Sequence, residues 1–296
     1  MLEKQFKLRE HHTTVRTEVI AGITTFLTMA YIIFVNPAML ADAGMDQGAV
    51  FVATCLAAAV GCFIMGLLAN YPIAMAPGMG LNAFFTYTVV VGMGYSWQVA
   101  LGCVFLSGVI FLLLSLFKVR EWIINSIPMS LRQGIGAGIG LFLALIALQN
   151  AGVVVSSPAT MVTMGELTQP KVLLAAGGFA LIIALSHFKI RSGVLLSILT
   201  VSALSVFLNM ETYKGIVSMP PSMASTFFQL DIPGAFQLSM LSVIFAFLYM
   251  DVFDTAGTLV AVAQRADMLD GQGNLPRIKQ ALLADSTATV AGALFG

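Results

Sequence analysis

The sequence is poor in charged side chains. Asp, Glu, Lys and Arg make up 9% of its 296 residues, whereas a soluble domain carries roughly 25%. From Gln47 to Phe117 there is no charged residue and no histidine, a run far longer than the roughly 20 residues that one membrane crossing needs. Hydrophobic residues make up 58% of the chain. This composition predicts an all-α polytopic membrane protein and excludes an ordinary soluble domain.

Other features that particular functions need are scarce as well. The chain has 14 Lys and Arg residues in total and 14 Asp and Glu residues. With this balance we expect no basic stripe that neutralises phosphates, and therefore no nucleic-acid partner. Cys55, Cys62 and Cys103 all lie in apolar runs, where we expect small hydrophobic side chains and neither a disulfide nor metal ligands. The charged N-terminus has no apolar core that ends in a cleavage site, so we expect no signal peptide.

Gaps between charged residues mark nine candidate membrane spans, near residues 18–40, 48–69, 74–92, 97–117, 133–150, 171–187, 192–210, 238–262 and 279–296. The positive-inside rule supports this division, because a cytoplasmic N-terminus leaves only Lys171 and Lys214 outside. The twelve basic residues then inside are Lys4, Lys7, Arg9, Arg16, Lys118, Arg120, Arg132, Lys189, Arg191, Arg265, Arg277 and Lys279. We predict nine spans with the N-terminus in the cytoplasm, an outer loop near 156–170 and a long extracellular connection over 211–235.

The third span has an unusual composition. Between Pro72 and Phe85 it carries two prolines and two glycines where a continuous helix should run, and each proline removes a backbone donor. We predict a short extended segment followed by a half-helix that starts near Leu81 and presents free N–H groups at membrane depth. Two interpretations of Asn82 stay open: it is either a polar group of a binding site, or the cap of a helix with an ordinary proline kink.

The eighth span places two carboxylates, Asp251 and Asp254, inside an apolar run of membrane length. Burying one carboxylate at the centre of a transmembrane helix costs about 2.5–3.5 kcal/mol, and such residues usually serve a polar ligand or an ion. At 100° per residue, Asp251, Asp254, Thr255 and Thr258 fall within one arc of about 100° on a helix. Because lipid cannot solvate this stripe, we expect it to face protein or a cavity. Asp285, in the last span, either faces a cavity or is solvated at the cytoplasmic interface.

Four segments of the chain resemble the nucleobase–cation symporter-2 (xanthine/uracil permease) family, and specifically its adenine/guanine/hypoxanthine permease branch. They are Arg16–Tyr31, Ala76–Phe85 (APGMGLNAFF), Ser130–Arg132 with the glycines that follow, and Asp251–Leu259 (DVFDTAGTL). The resemblance implies a fold of two inverted seven-helix repeats, with substrate bound between the broken third and tenth spans and the eighth helix. Asp254 matches the family's substrate-binding acid, and Gly80 and Asn82 match its third-span binding segment. Asp251 and Thr258 are further candidates for substrate binding.

The family pattern also implies how the chain is organised. Residues 1–296 would form one membrane domain, with core helices in 1–117 and 236–296, gate helices in 118–210 and the connection in 211–235. Such permeases continue for five more spans, including the tenth with its second acidic contact, so we expect a C-terminally truncated permease whose own transport activity is in question. The expected location is the inner cell membrane.

The resemblance favours a secondary active transporter, not an enzyme, that imports adenine or hypoxanthine/guanine. We expect H⁺ as the coupling ion and no prosthetic group. The expected partners are a purine nucleobase, the lipid bilayer and, in a homodimer, a second copy of the chain. One alternative is an anion exchanger of the same fold, which two acids beside the site argue against. Another is an intramembrane aspartyl protease, which needs aspartates on facing helices; we expect no central partner aspartate in another span.

Overall fold

The computed structural model describes residues 6–10, 13–116, 129–158, 160–190, 192–210, 215, 218–266, 268–270 and 275–296. Several sequence-based expectations therefore lie outside the described residues. They include the predicted inner loop with Lys118 and Arg120, most of residues 211–217 in the predicted extracellular connection, and residues 271–274.

Helices dominate the described chain. They are α1 (Val15–Met29), α2 (Ile32–Ala41), α3 (Gln47–Ile64), α4 (Met79–Ala83), α5 (Trp97–Leu116), α6 (Met129–Ala151), α7 (Pro170–His187), α8 (Gly193–Phe207), α9 (Ile232–Ala235), α10 (Leu241–Arg265) and α11 (Ile278–Phe295). The π-helical segments Met65–Ala69 and Phe84–Gly92 extend α3 and α4, and a 3₁₀ turn at Leu238–Met240 leads into α10.

Among the described residues, five helical segments are long and apolar enough to cross a membrane: Val15–Ala41, Gln47–Ala69, Trp97–Leu116, Pro170–His187 and Leu238–Gln264. The shorter apolar helices are Met79–Gly92, Gly140–Ala151 and Gly193–Phe207. This pattern agrees with a helical membrane protein. The count of nine spans and the repeat arrangement stay predictions.

The chain forms two compact units. The first comprises Met1–Val15, Ile32–Gly136 and Pro220–Gly296, and the second comprises Arg16–Tyr31 and Ala137–Met219. The predicted first span is interrupted at Ala30–Tyr31, where the chain passes from the second unit into the first. The assignment of helices to core and gate groups stays a prediction.

In the first unit α11 packs against α5 and α3, and α10 packs against α5 and α4. Two apolar clusters stabilise these contacts: one surrounds Phe247 and Val89, and the other surrounds Met65, Phe111 and Leu259. Burial of apolar side chains of this size contributes about 1.5–3 kcal/mol each when the alternative is water. The candidate site lies among the helices that these clusters hold together.

In the second unit α7 and α8 pack closely on each other. Ser197 Oγ donates a hydrogen bond of 2.8 Å to the Gly178 carbonyl, and a Cβ at Gly178 would lie 2.8 Å from Val201 Cγ2. Between α6 and α7 the chain forms an antiparallel hairpin of β1 (Val154–Ser157) and β2 (Met161–Met164). The sequence predicted an outer loop near 156–170 and no strands. The β-branched residues on both sides of Pro158 favour paired strands instead.

The third span is broken, and its extended part is held by specific contacts. Asn70 adopts a left-handed conformation with φ of 52° and ends the helix that α3 begins. Residues 70–78 then carry no helix, and α4 starts at Met79 with Gly78 as its N-cap. The half-helix therefore begins two residues before the predicted Leu81. Asn82 does not cap it, because Gly78 has the cap position without a side-chain bond.

The extended segment is tied to α3 by a thiol. The Met75 N–H donates to Cys62 Sγ at 3.1 Å, and Cys62 Sγ lies 3.5 Å from the Met75 carbonyl oxygen. A Cβ at Gly61 would lie 2.9 Å from Met75 Cβ, so glycine permits this close approach. Cys62 is a free cysteine, and it has a polar contact beyond the small hydrophobic role that the sequence predicted. Its sulfur partners a backbone group that has no partner in a helix or sheet.

Candidate functional site

A cavity of about 420 Å³ lies within the first compact unit, inside the range of 300–1,000 Å³ typical of small-molecule sites. Helices α2, α3, α4, α5, α10 and α11 and the extended segment all contribute to its wall. Its polar lining residues are Asn36, Thr54, Asn82, Ser107, Asp251, Asp254, Thr255, Thr258, Asp285 and Thr289. Helix α10 and the broken third span, which the sequence singled out separately, therefore meet at one cavity.

The polar stripe of α10 faces this cavity. Asp251, Asp254, Thr255 and Thr258 all line it, as expected if their helix turns one narrow polar face away from lipid. Thr258 Oγ1 donates to the Asp254 carbonyl oxygen of its own helix at 2.7 Å. The hydroxyl proton of Thr258 is thus already engaged, and its oxygen is the atom left to accept a hydrogen bond.

The Asp254 carboxylate lies directly beside the broken span. A Cβ placed at Gly78 would stand 3.1 Å from Asp254 Oδ2, a tight contact that glycine avoids. Among the described residues no donor forms a hydrogen bond to the Asp254 carboxylate. A partly buried acid of this kind favours a ligand that brings its own donors, because an unpaired polar group in a low-dielectric site is costly.

The other two acids of the cavity have partners across the interface of α10 and α11. Thr255 Oγ1 donates to Asp285 Oδ2 at 2.6 Å. Thr289 Oγ1 shares its proton between Asp251 Oδ2 at 3.3 Å and the Asp285 carbonyl oxygen of its own helix at 3.2 Å. Asp251 and Thr255 are both buried. These crossed bonds join the two helices, and they distinguish Asp251 and Asp285 from Asp254.

Of the two interpretations of Asp285, the structure supports the one in which the side chain faces a cavity. An aspartate of another helix therefore lines the same cavity as Asp251 and Asp254. The expectation that no other span places an aspartate at the centre of the membrane stays a prediction. The sequence left the point open because Asp285 lies only a few residues from the charged Arg277 and Lys279. Its i,i+4 spacing to Thr289 was the available signal that both residues share one face.

Asn82 lines the cavity and is bonded to a second asparagine. Its Nδ2 donates to Asn36 Oδ1. Asn36 Nδ2 in turn donates to Thr54 Oγ1 at 2.7 Å, and Thr54 Oγ1 donates to the Val50 carbonyl oxygen at 2.7 Å. Asn36 was not among the candidates predicted from the sequence. Its signal is an amide in the middle of an apolar run, next to Pro37.

Gly80, the remaining predicted site residue, is not among the residues that line the cavity. It lies in the first turn of α4, whereas Gly78, at the N-cap, lines the wall. The broken span therefore contributes Gly78 and Asn82 to the cavity. A role for Gly80 in binding stays a prediction.

The remaining wall is apolar and includes two aromatic rings, those of Phe85 and Phe247. The Phe247 ring packs edge-on against Phe84, with 5.1 Å between ring centroids. No lysine, arginine or histidine occurs among the described residues that line the cavity. Flat apolar walls with three carboxylates suit a planar, neutral or cationic ligand that is rich in hydrogen-bond donors.

Comparison with known proteins identifies the family of this chain. The model described as "Permease family", that of the xanthine/uracil permeases, matches residues 16–296. The chain belongs to this family. Adenine permease AdeP of Escherichia coli strain K12 is 51% identical over all of this chain, which covers 66% of that relative. Putative permease MJ0326 of Methanocaldococcus jannaschii is 52% identical over the whole chain and is covered to 68%.

Guanine/hypoxanthine permease PbuG of Bacillus subtilis strain 168 is 48% identical over 98% of this chain, which covers 69% of it. The chain thus spans 66% to 69% of the length of these three relatives. The resemblance that four sequence segments indicated is confirmed. The family consists of transporters, so the comparison is consistent with a multi-pass membrane protein that is not an enzyme.

Proposed function

We propose that this protein is a secondary active transporter that imports a purine nucleobase. The observation that carries the proposal is the cavity that Asp254 lines together with Asn82 of the broken span. The Asp254 carboxylate lies beside Gly78 and has no hydrogen-bond donor among the described residues. Purine edges offer N–H donors and nitrogen or carbonyl acceptors. A carboxylate and an asparagine amide can pair with both kinds of group. Adenine and guanine/hypoxanthine are the substrates in the names of the relatives.

The coupling ion in this proposal is H⁺. In a transporter, a buried carboxylate can be open to one side of the membrane and then to the other. Such a carboxylate can take up a proton on one side and release it on the other. Three carboxylates line this cavity, and two of them already accept a hydroxyl proton across the interface of α10 and α11. Asp254 is therefore the acid most directly available to ligand and proton.

The test is uptake of radiolabelled adenine, hypoxanthine and guanine by cells that express the protein and have no purine uptake of their own. The proposal predicts saturable uptake of at least one purine that unlabelled purines inhibit and that sulfate leaves unchanged. An anion exchanger would show the reverse pattern. Uptake that a protonophore abolishes and that removal of Na⁺ leaves unchanged would support H⁺ coupling.

A further inference from the structure

The amide of Asn82 is held by a chain of hydrogen bonds that has a direction. It starts at the backbone of α3, where the single hydroxyl proton of Thr54 goes to the Val50 carbonyl oxygen at 2.7 Å. The Thr54 oxygen is then an acceptor, and Asn36 Nδ2 lies 2.7 Å from it. Each residue in this series of hydrogen bonds thereby determines whether the next residue donates or accepts.

The direction continues to the cavity. Because Asn36 gives its amino group to Thr54, its Oδ1 is the atom that faces Asn82, and it accepts from Asn82 Nδ2. An asparagine side chain has one amino group and one carbonyl oxygen. With Nδ2 engaged, Asn82 Oδ1 is the group left for a ligand, and no donor among the described residues bonds to it. Asn82 lines the cavity wall.

The two residues that orient Asn82 are well protected from solvent. Asn36 is 4% exposed and Thr54 is 3% exposed. They belong to α2 and α3, which pack on each other. A buried amide that loses a partner is destabilised, so rotation of one amide requires rotation of the other. The orientation of Asn82 is thus decided by Asn36 and Thr54, which line the same cavity wall.

We propose that Asn36, supported by Thr54, is a positioning residue that presents Asn82 Oδ1 to the ligand and thereby makes the cavity select a hydrogen-bond donor at that point. The inference rests on the proposed purine transport and adds the polarity of one contact. Asn36 acts through Asn82. Loss of Asn36 frees the Asn82 amide to rotate, so that either its oxygen or its amino group can face the ligand.

The experiment measures how strongly purine analogues compete with the preferred radiolabelled purine for uptake. Purine lacks the amino group of adenine, 9-methyladenine lacks its imidazole N–H, and 1-methylhypoxanthine lacks the N1–H of hypoxanthine. The unchanged protein is expected to bind one of these analogues on the order of tenfold more weakly than its parent base. The analogue with the weakened affinity identifies the ligand N–H group that donates a hydrogen bond to Asn82 Oδ1.

In Asn36→Ala, the affinity ratio between the parent base and the analogue that lacks this donor is expected to fall to about threefold or less. The ratios for the other analogues are expected to stay unchanged. Thr54→Val should lower the same ratio, and Thr54→Ser should restore it. Thr54→Val also keeps the test decisive if Asn36→Ala is poorly expressed. The matched control is Ser115→Ala: Ser115 is also buried and donates to the carbonyl four residues earlier, at 2.8 Å, but does not line the cavity.

A common loss of affinity for every ligand in Asn36→Ala would overturn the inference, because it would indicate a merely structural role. A second result would also overturn the inference. It is that, in the unchanged protein, only analogues that lack an acceptor, such as 3-deazaadenine, compete more weakly, while analogues that lack a donor compete as well as their parent bases. That result would mean that the amino group of Asn82 faces the ligand. If the protein takes up no purine and no purine competes for uptake, the proposed function itself fails and the inference fails with it.

Discussion

At the scale of single residues, the three acids of the cavity have different surroundings. Asp251 and Asp285 accept hydroxyl protons from Thr289 and Thr255, whereas the Asp254 carboxylate lies beside the backbone at Gly78. These contacts are the physical reason to separate a ligand-binding acid from acids that join two helices. The family resemblance favours Asp254 from sequence, but it gives no physical reason for the choice, because Asp251 and Asp254 are three residues apart in one apolar run.

Substitution of Asp254 should affect transport most. Asp254→Asn is expected to abolish purine uptake, since it removes the charged acceptor, and Asp254→Glu should keep partial uptake with an altered purine preference. Asp251→Asn should shift the pH dependence of uptake more than the preference among purines, because it removes a neighbouring ionisable group. Uptake against pH at matched expression checks all three variants. Near-normal uptake by Asp254→Asn, with loss confined to Asp251→Asn, would exchange their roles.

Residue-level prediction succeeded where the signal was local. The stripe of Asp251, Asp254 and Thr258 follows from the 3.6-residue period of a helix and from the cost of polar groups in lipid. Asn36 was missed because its importance comes from Asn82, 46 residues away, and no local pattern encodes that pairing. A lone amide in an apolar span is the only trace that it leaves in the sequence.

At the scale of elements, the broken third span brings backbone to within contact distance of α10. The sequence predicted the break from its prolines and glycines, but placed the helix start near Leu81. The start is at Met79 because Gly78 adopts an extended conformation, with φ of −74° and ψ of 112°, and serves as the N-cap. Extended backbone of this kind is open to any residue, so the requirement for glycine is one of space.

The space at Gly78 gives a specific prediction. Gly78→Ala should weaken purine binding, because its Cβ would lie 3.1 Å from Asp254 Oδ2, and crowding of this kind costs about 1–3 kcal/mol. Gly66→Ala is the matched control, since a Cβ there meets nothing within 4 Å. The KM for uptake should rise in Gly78→Ala alone, at equal expression. An unchanged KM in Gly78→Ala would show that the extended segment does not approach the ligand.

The thiol of Cys62 gives a second prediction at this scale. Cys62→Ala removes the partner of the Met75 N–H and should lower the free energy of unfolding by about 1–3 kcal/mol. Cys62→Ser should retain most of that stability. Cys55, which is exposed, provides the control Cys55→Ala. Thermal unfolding in detergent is the measurement, and equal midpoints for Cys62→Ala and Cys55→Ala would contradict the assignment.

At the scale of the whole molecule, composition predicts the class and the charge asymmetry predicts the orientation. Both are summed over many residues and are therefore robust to local errors. The hairpin of β1 and β2 and the interruption at Ala30–Tyr31 depend on local pairing and packing, and the sequence did not predict them. The chain covers 66% to 69% of three relatives, so the activity of the whole protein is a proposal.

The predicted orientation can be tested by labelling introduced cysteines. Ser222→Cys, in the predicted extracellular connection, should react with a membrane-impermeant thiol reagent in intact cells. Asp270→Cys, between the predicted eighth and ninth spans, should react only after permeabilisation. Both positions are exposed. The same protein with its three native cysteines replaced and no cysteine introduced serves as the blank. Labelling of Asp270→Cys from outside intact cells would defeat the nine-span topology with a cytoplasmic N-terminus.

The central claim is that the cavity beside Asp254 holds the purine, and protection of a thiol placed in its wall tests this most directly. Val262 lines the cavity and is 44% exposed, so Val262→Cys, with the native cysteines replaced and Cys62 changed to Ser, should react with a small thiol reagent. We predict that the transported purine slows this reaction at concentrations near its KM, while labelling of Asp270→Cys stays constant. An unchanged rate for Val262→Cys under saturating purine, in protein that still takes up purine, would contradict the account.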